Sequence, residues 1–221
     1  MCKSAVIICQ GDFPRKEYPR YVLRNADVIV CCDGAFSAFL RKSESVFGKL
    51  RLPDAVVGDM DSLSPSMMKK YGDIVVKYDE QDYNDMTKAM RYTLSRWDDI
   101  TEIHFIGATG KREDHTIGNM SLLMEYERMF SLSERGITAD IISDWSTVFA
   151  IGDSTTLDVG EGRRISIFCP DNTLKMRSEG LEWPVDEVVF DNWWKATLNR
   201  TVADRVKLTF SHPSMALIVL D

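Results

Sequence analysis

The feature that most constrains the fold is a series of short apolar runs, rich in β-branched residues, along the first 140 residues. Five runs occur, with helix-compatible segments between or after most of them: residues 4–9, 28–32, 55–57, 74–78 and 102–106. This alternation predicts a Rossmann-like α/β domain, a mostly parallel sheet with helices on both faces. The clearest helix is predicted from Asn84, a suitable cap, to Trp97, and another should begin near His115.

The pattern changes after about residue 140. Segments become shorter, Gly and Pro interrupt them, and apolar residues alternate with polar ones, as in residues 206–211. This favours an antiparallel β domain, either a sandwich or a barrel. We therefore expect two domains, residues 1–140 and 141–221, with residues 140–142 ambiguous between the last strand of one domain and the first of the next.

Composition excludes several classes of protein. The 221 residues are 44% hydrophobic and 28% charged, which is typical of a soluble globular protein. A net charge of −7, with no Lys/Arg run longer than two residues, argues against sequence-independent nucleic-acid binding. The apolar stretch 5–9 is too short to cross a membrane and has no signal-cleavage pattern, so we expect a cytoplasmic protein. Five cysteines without a CxxC pair indicate buried free thiols rather than a disulfide framework or a zinc site.

Acidic residues cluster where the predicted strands end, which is where ligands bind to open parallel sheets. Asp12 follows the first strand, Asp33 follows the second, and the segment 58–62 with Asp59 and Asp61 follows the third. In an extended segment, Asp59 and Asp61 would lean to the same side and share one Mg²⁺, together with water and phosphate oxygens. The alternative is an ordinary Asp-rich turn, because Asp forms Asx turns and caps helices.

Two further clusters fit a polyphosphate. Asp85 and Lys88 lie three apart at the predicted start of the long helix, where Asp85 could complete the metal site and Lys88 bind phosphate as a mobile point charge. A plain surface pair is the alternative. The loop 107–115 combines two glycines with two cations, although it is neither a Walker loop nor GxGxxG, and a simple capped loop is its alternative. Its candidate nucleotide-binding residues are Gly110, Lys111, Arg112, Asp114 and His115.

In their order and spacing, these motifs resemble the thiamine pyrophosphokinase family. The resemblance rests on Asp33-Gly34, on residues 58–62, 85–89 and 110–115, and in the β half on residues 180–184, Asn199 and His212-Pro213. It implies an α/β nucleotide-binding domain followed by a β-sandwich, and a homodimer with thiamine near the domain and subunit junction. It also implies Mg²⁺-dependent transfer of pyrophosphate from ATP to thiamine, which releases AMP and forms thiamine diphosphate.

The resemblance also implies roles for individual residues. Asp59, Asp61 and Asp85 match the family's metal-binding and catalytic acids, and Asp33 is a further active-site acid. Lys88, Arg112 and Asp114 match its polar nucleotide-side residues, with Asn84 and the rest of the 110–115 loop beside them. Trp183, Asn199, Asp33 and Asp12 are the candidate contacts to thiamine, although a tryptophan in a β domain is often a core or interface residue.

Three positions depart from the family pattern. Lys111 replaces a second Gly, Asn84 replaces a Thr, and Leu198 replaces a Ser just before the β-domain Asn, so that a hydroxyl is missing from the expected thiamine pocket.

Positioning and electrostatics dominate phosphoryl-type transfer, so no covalent enzyme intermediate is expected, and Asp61 or Asp85 is the candidate acceptor of the hydroxyl proton. The rival hypotheses are a Mg²⁺-dependent phosphohydrolase, a sugar or nucleotidyl transferase using the same acids, and a non-catalytic thiamine or nucleotide sensor.

Overall fold

The computed structural model of the protein describes residues 3–221, and the chain divides into two compact units. The first unit comprises the described residues up to Asn119 together with Ser133–Asp144. The second comprises Met120–Leu132 and Trp145–Asp221.

The first unit is built on a six-stranded sheet in which every pair of neighbours is parallel. Its order across the sheet is β4-β3-β2-β1-β5-β6. The strands are β1 (Lys3–Ile8), β2 (Val28–Cys32), β3 (Ala55–Gly58), β4 (Val75–Lys77), β5 (Ile100–Ile106) and β6 (Thr138–Ile142). All five residues of β2 are buried, which explains why the central strands read as continuous apolar runs. Because β6 pairs with β5, the ambiguous residues 140–142 belong to this sheet.

Five helices connect or follow the strands. They are α1 (Glu17–Asn25), α2 (Asp33–Phe47), α3 (Pro65–Tyr71), α4 (Asp85–Arg96) and α5 (Glu113–Phe130). A short 3-10 turn, Gly72–Ile74, leads into β4. The predicted long helix is confirmed as α4, and its cap is Asn84, whose Oδ1 accepts a hydrogen bond from the Thr87 amide at 3.0 Å. Both α2 and α4 pack against β2 and β3. Because α2 follows β2 and α4 follows β4 in a parallel sheet, the N-termini of both helices lie at the carboxyl edge of that sheet.

The second unit is antiparallel, as predicted. Its strands are β7 (Thr147–Ile151), β8 (Thr155–Asp158), β9 (Arg164–Phe168), β10 (Met176–Glu179), β11 (Ala196–Arg200), β12 (Arg205–Phe210) and β13 (Ala216–Leu220). Within this unit they form one row, β7-β13-β9-β11, and a separate sheet, β10-β12-β8. Ile167 and Ile218 from the row share a buried core with Val206 and Leu208 from the sheet. The two layers therefore make a sandwich rather than a barrel.

The cysteine prediction is confirmed for the described residues. Cys9, Cys31, Cys32 and Cys169 are free and buried, and burial raises the pKa of the Cys31 thiol well above its usual value. Cys2 lies outside the described residues. Within residues 3–221, no helix is long and apolar enough to cross a membrane.

Candidate active site

Asp33 is the most deeply buried acid of the predicted site, with 1% of its surface exposed. It is the first residue of α2, immediately after β2. Its carboxylate accepts hydrogen bonds from the amides of Gly34 at 2.5 Å and Ser62 at 3.5 Å. A Cβ atom at Gly58, the last residue of β3, would lie 2.7 Å from Asp33 Cγ. Gly58 is therefore the residue that leaves room for this carboxylate.

The environment of Asp33 favours its protonated form. Burial is the main cause, followed by the negative charge of Asp85, and together they raise the pKa of Asp33 from 3.8 to about 6, against the opposing hydrogen bonds of the Gly34 and Ser62 amides. A carboxyl group with this pKa is still mostly ionised at pH 7 and takes up a proton in mild acid. Crowded carboxylates with a raised pKa are typical of sites that bind a cation or move a proton.

Lys88 lies between two acids of the predicted site, Asp59 and Asp85. Its Nζ atom lies 3.2 Å from Asp85 Oδ1 and 3.9 Å from Asp59 Oδ2, and the residue is only 2% exposed. The three-residue spacing places Asp85 and Lys88 on one side of the first turn of α4, as predicted. The prediction of a mobile point charge and its surface-pair alternative are both wrong, because Lys88 is buried between two carboxylates from different elements.

The segment around Asp59 and Asp61 is a turn rather than an extended strand end. Met60 is buried with φ at +73°, and the Asp61 amide donates to Asp59 Oδ1 at 3.1 Å. Asp59 therefore contacts Lys88, while the side chain of Asp61 is exposed. The extended backbone expected between the two carboxylates is absent, because the left-handed residue between them reverses the chain. The sharing of one cation by Asp59 and Asp61 stays a prediction.

The loop that follows β5 forms one wall of a cleft of about 350 Å³ in the first unit. The cleft is lined by Gln10, Gly11, Gly107, Ala108, Gly110, Lys111, Arg112, His115 and Asn119. Gly110 and Lys111 both have positive φ, at 84° and 64°. This left-handed backbone gives a physical reason to prefer Gly at position 111. The Lys111 ammonium donates to the Gln10 carbonyl at 2.5 Å, so a cation borders the cleft.

Arg112 and Asp114 form an exposed pair beside this cleft. Arg112 Nε donates to Asp114 Oδ1 at 3.1 Å, and the Arg112 hydrogen bond is the main reason why the pKa of Asp114 lies below its usual value. The His115 amide also donates to Asp114, at 2.9 Å. Asp12 borders the same loop, since its amide donates to the Thr109 carbonyl at 2.9 Å. Arg112 and His115 therefore line the cleft, whereas Asp114 is held at its rim.

Sequence reasoning missed Asn119, a residue of α5 that is 8% exposed. Its Nδ2 donates to the Ala108 carbonyl at 2.7 Å, and its Oδ1 accepts from Asn84 Nδ2 at 3.0 Å. Asn84, predicted to bind nucleotide, thus uses its side-chain amide for the cap of α4 and for Asn119. An Asn four residues after His115, on the same side of a helix, is the signal that would have indicated this contact.

The second unit has a cleft of about 320 Å³ that contains Trp183, Leu198 and Asn199. Asn199 is 6% exposed and holds the Trp183 backbone at both ends, since its Nδ2 donates to the Trp183 carbonyl at 2.6 Å and its Oδ1 accepts from the Trp183 amide at 3.2 Å. Trp183 is 56% exposed, so it is not a core residue. Leu198, with φ at +59° and 86% exposed, lies where the register of β11 against β9 shifts.

The acids suit a hard cation that keeps some of its own ligands. Among residues 3–221, no group of three or more His, Cys, Asp or Glu side chains is placed to hold a metal ion by itself. Mg²⁺ does not need one, because it is usually held by one or two carboxylates, water and substrate phosphates. Asp59 and Asp85, which share Lys88 as a counter-ion, provide that partial donor set.

Two domain patterns of one protein family match most of the chain. Residues 19–132 match the family pattern described as thiamin pyrophosphokinase, catalytic domain, and residues 147–215 match thiamin pyrophosphokinase, substrate-binding domain. Thiamine pyrophosphokinase 2 of Arabidopsis thaliana is 25% identical over 140 residues, which cover 56% of this chain and 52% of that protein. The chain thus spans about half the length of the curated relatives it matches.

Solved structures share the fold. A thiamin pyrophosphokinase family protein from Enterococcus faecalis superposes with a TM-score of 0.75 at 18% identity, covering 99% of both chains. Yeast thiamin pyrophosphokinase gives 0.74 at 18% identity, covering 100% of this chain and 86% of the other. At this level of identity, the likeness establishes the architecture of an α/β unit followed by an antiparallel β unit.

Proposed function

We propose, from the fact that this chain belongs to the thiamin pyrophosphokinase family, that it transfers pyrophosphate from ATP to the hydroxyl of thiamine. The products are thiamine diphosphate and AMP. The observation that carries this proposal is the convergence of Asp59 and Asp85 on the buried Lys88, near Asp33, at the carboxyl edge of the parallel sheet. Several acids in one half-buried cluster contribute little to the stability of a fold. Metal-assisted chemistry on phosphates, in contrast, requires such acids.

ATP would bind at this edge of the first unit. The cleft beside the 107–112 loop offers backbone amides and the cations Lys111 and Arg112 to the polyphosphate. Asp59 and Asp85 would hold Mg²⁺ together with water and phosphate oxygens, and Asp61 is an exposed acid in the same turn as Asp59. When bound, the metal would supply positive charge to the phosphate oxygens, which carry the charge of the transition state.

The reaction is a single displacement at the β-phosphorus. The hydroxyl oxygen of thiamine forms a bond to the β-phosphorus, and the bond from that phosphorus to the oxygen bridging to the α-phosphorus breaks, so AMP leaves with the bridging oxygen. The hydroxyl proton passes to a carboxylate oxygen, for which Asp61 and Asp85 are the candidates. Lys88, which lies between Asp59 and Asp85, limits the repulsion between these acids and the phosphates.

Thiamine would bind in the second unit. The match of residues 147–215 to a substrate-binding domain supports this, as does the exposed indole of Trp183 in a cleft, which could stack on a flat ring. In this proposal Asn199 fixes the Trp183 backbone. We also propose a cytoplasmic homodimer, and light scattering of the purified protein tests the assembly.

The role of the acids is tested by Asp61→Asn and Asp59→Asn, with AMP release measured in the presence of ATP, Mg²⁺ and thiamine. Removing a metal ligand or base should lower kcat by about 100-fold or more. Asp153→Asn, an exposed substitution in the second unit, is the matched control and should leave the rate unchanged. Near-normal turnover in Asp61→Asn would remove Asp61 from the mechanism, and near-normal turnover in both variants would refute the proposed metal site.

A further inference from the structure

A chain of side-chain amides crosses the first unit from the start of α4 to the loop after β5. Asn84 Nδ2 donates to Asn119 Oδ1 at 3.0 Å, and Asn119 Nδ2 donates to the Ala108 carbonyl at 2.7 Å. Asn84 Oδ1 accepts from both the amide and the hydroxyl of Thr87, at 3.0 and 3.1 Å. In both Asn84 and Asn119, therefore, the side-chain nitrogen donates a hydrogen bond and the side-chain oxygen accepts one.

The two ends of this chain carry different parts of the candidate site. At one end, the first turn of α4 holds Asp85 and the buried Lys88. At the other end, Ala108 lies in the loop that lines the 350 Å³ cleft with Lys111 and Arg112. The link passes through a buried residue, since Asn119 is 8% exposed, and hydrogen bonds in such surroundings are stronger and better aligned than those on the surface.

Because Asn119 is buried, the loss of a hydrogen bond from its side-chain amide would destabilise the folded protein. A buried amide that loses a partner retains its full desolvation penalty, so the side chain has a strong preference for the one orientation that satisfies both neighbours. A shift of α4 relative to the loop would break at least one of the two bonds. The bridge therefore holds the acidic turn and the cleft loop at a fixed separation.

We propose that Asn119 is a positioning residue that, through Asn84, sets the distance between the acids of α4 and the phosphate-binding loop. This inference rests on the proposed function for the meaning of that distance, but the bridge itself can be measured without any ligand. Asn119 would touch neither the reacting phosphorus nor the acceptor hydroxyl. Its contribution is the alignment of two groups that must act on one polyphosphate, and small misalignments of this kind lower kcat strongly.

The test compares Asn119→Ala, Asn84→Thr and the double variant with the unaltered protein. Asn84→Thr keeps a good helix cap and removes the amide donor. Asn25→Ala is the matched control, because Asn25 Nδ2 also donates to a backbone carbonyl, that of Tyr21 at 2.8 Å, on the surface of α1. Amide hydrogen exchange of residues 107–112 is measured without ligand, and kcat and KM for ATP are measured with Mg²⁺ and thiamine.

We expect exchange in residues 107–112 to accelerate by about threefold or more in either single variant and no further in the double variant. We expect kcat to fall about tenfold or more with a smaller change in KM, and the effects of the two substitutions to be non-additive. Unchanged exchange, or multiplicative effects in the double variant, would overturn the proposal. If Asn119→Ala does not fold, the proposal is tested by comparing Asn84→Thr with the control Asn25→Ala in the same hydrogen-exchange measurement of residues 107–112. If the unaltered protein forms no AMP, the proposed function fails, while hydrogen exchange still decides on the bridge.

Discussion

Replacing Asp33 by Asn should make the metal-free protein more stable at pH 8 while removing most of its activity. Asn is almost the same size and can still accept the hydrogen bond from the Gly34 amide, so the substitution mainly removes a buried negative charge. The charge that lowers stability belongs to an acid of the candidate active site, and a conflict between stability and activity is common at active sites.

The size of the effect follows from the raised pKa. The pKa of Asp33 goes from 3.8 in the unfolded chain to about 6 in the folded one, a change of about 2 units at 1.36 kcal/mol each. The folded state binds the proton more tightly, so Asp33 lowers stability as pH rises from about 4 to about 6. The loss is on the order of 3 kcal/mol at pH 8 and about half of that at pH 5.

Urea unfolding in EDTA at pH 5 and pH 8 measures this difference directly. Asp33→Asn should exceed the unaltered protein in unfolding free energy by more at pH 8 than at pH 5. Asp73→Asn, at an exposed position in the 3-10 turn, is the control and should change little at either pH. A stability difference that is absent at pH 8, or that is the same at both pH values, would refute the account of Asp33 as a buried, destabilising charge.

Two further predictions concern packing and titration. Gly58→Ala should lower stability by about 1–3 kcal/mol, since its Cβ would overlap a buried carboxyl, whereas the same substitution at Gly118 meets no atom within 4 Å and should raise the thermal midpoint slightly. His104 lies 2.8 Å from Asp140 and 3.7 Å from Glu102, and these carboxylates raise its pKa although burial opposes them. The stabilisation from protonated His104 is complete below pH 6.5 and is lost as pH rises through its raised pKa. In urea titrations, His104→Gln should therefore lower the unfolding free energy more at pH 6 than at pH 9. An equal decrease in unfolding free energy at both pH values would contradict this.

The strands and the best helix could be predicted because local pattern decided them. Residues 28–32 are apolar without interruption and rich in β-branched residues, as expected for a strand buried on both faces, and they form β2 with the predicted bounds. Asn84 marks the start of α4 because its side chain caps the helix within three residues. Both features are decided by residues close to one another in the sequence, so a local sequence pattern is enough to predict them.

The residues of the candidate site could be named from the sequence, but their geometry was less predictable. The resemblance indicated Asp33, Asp59 and Asp85. The strand ends indicated Asp33 and Asp59, and the predicted start of the long helix indicated Asp85. The burial of Lys88 depends on carboxylates 3 and 29 residues away, so that no local pattern reveals it. The turn at Met60 depends on a left-handed residue that is not Gly, and the Asn84–Asn119 bridge spans 35 residues. Long-range contacts of this kind are set by the packing of elements rather than by periodicity.

Pyrophosphate transfer from ATP to thiamine can be tested by ³¹P NMR of one reaction mixture. The protein is incubated with ATP, Mg²⁺ and thiamine, and the phosphorus signals of all products are followed over time. The account predicts that AMP and thiamine diphosphate appear at equal rates, with no AMP when thiamine is left out. Formation of ADP with thiamine monophosphate would indicate transfer of a single phosphoryl group, and ADP with inorganic phosphate would indicate hydrolysis. Either result, or the absence of turnover, would contradict the account.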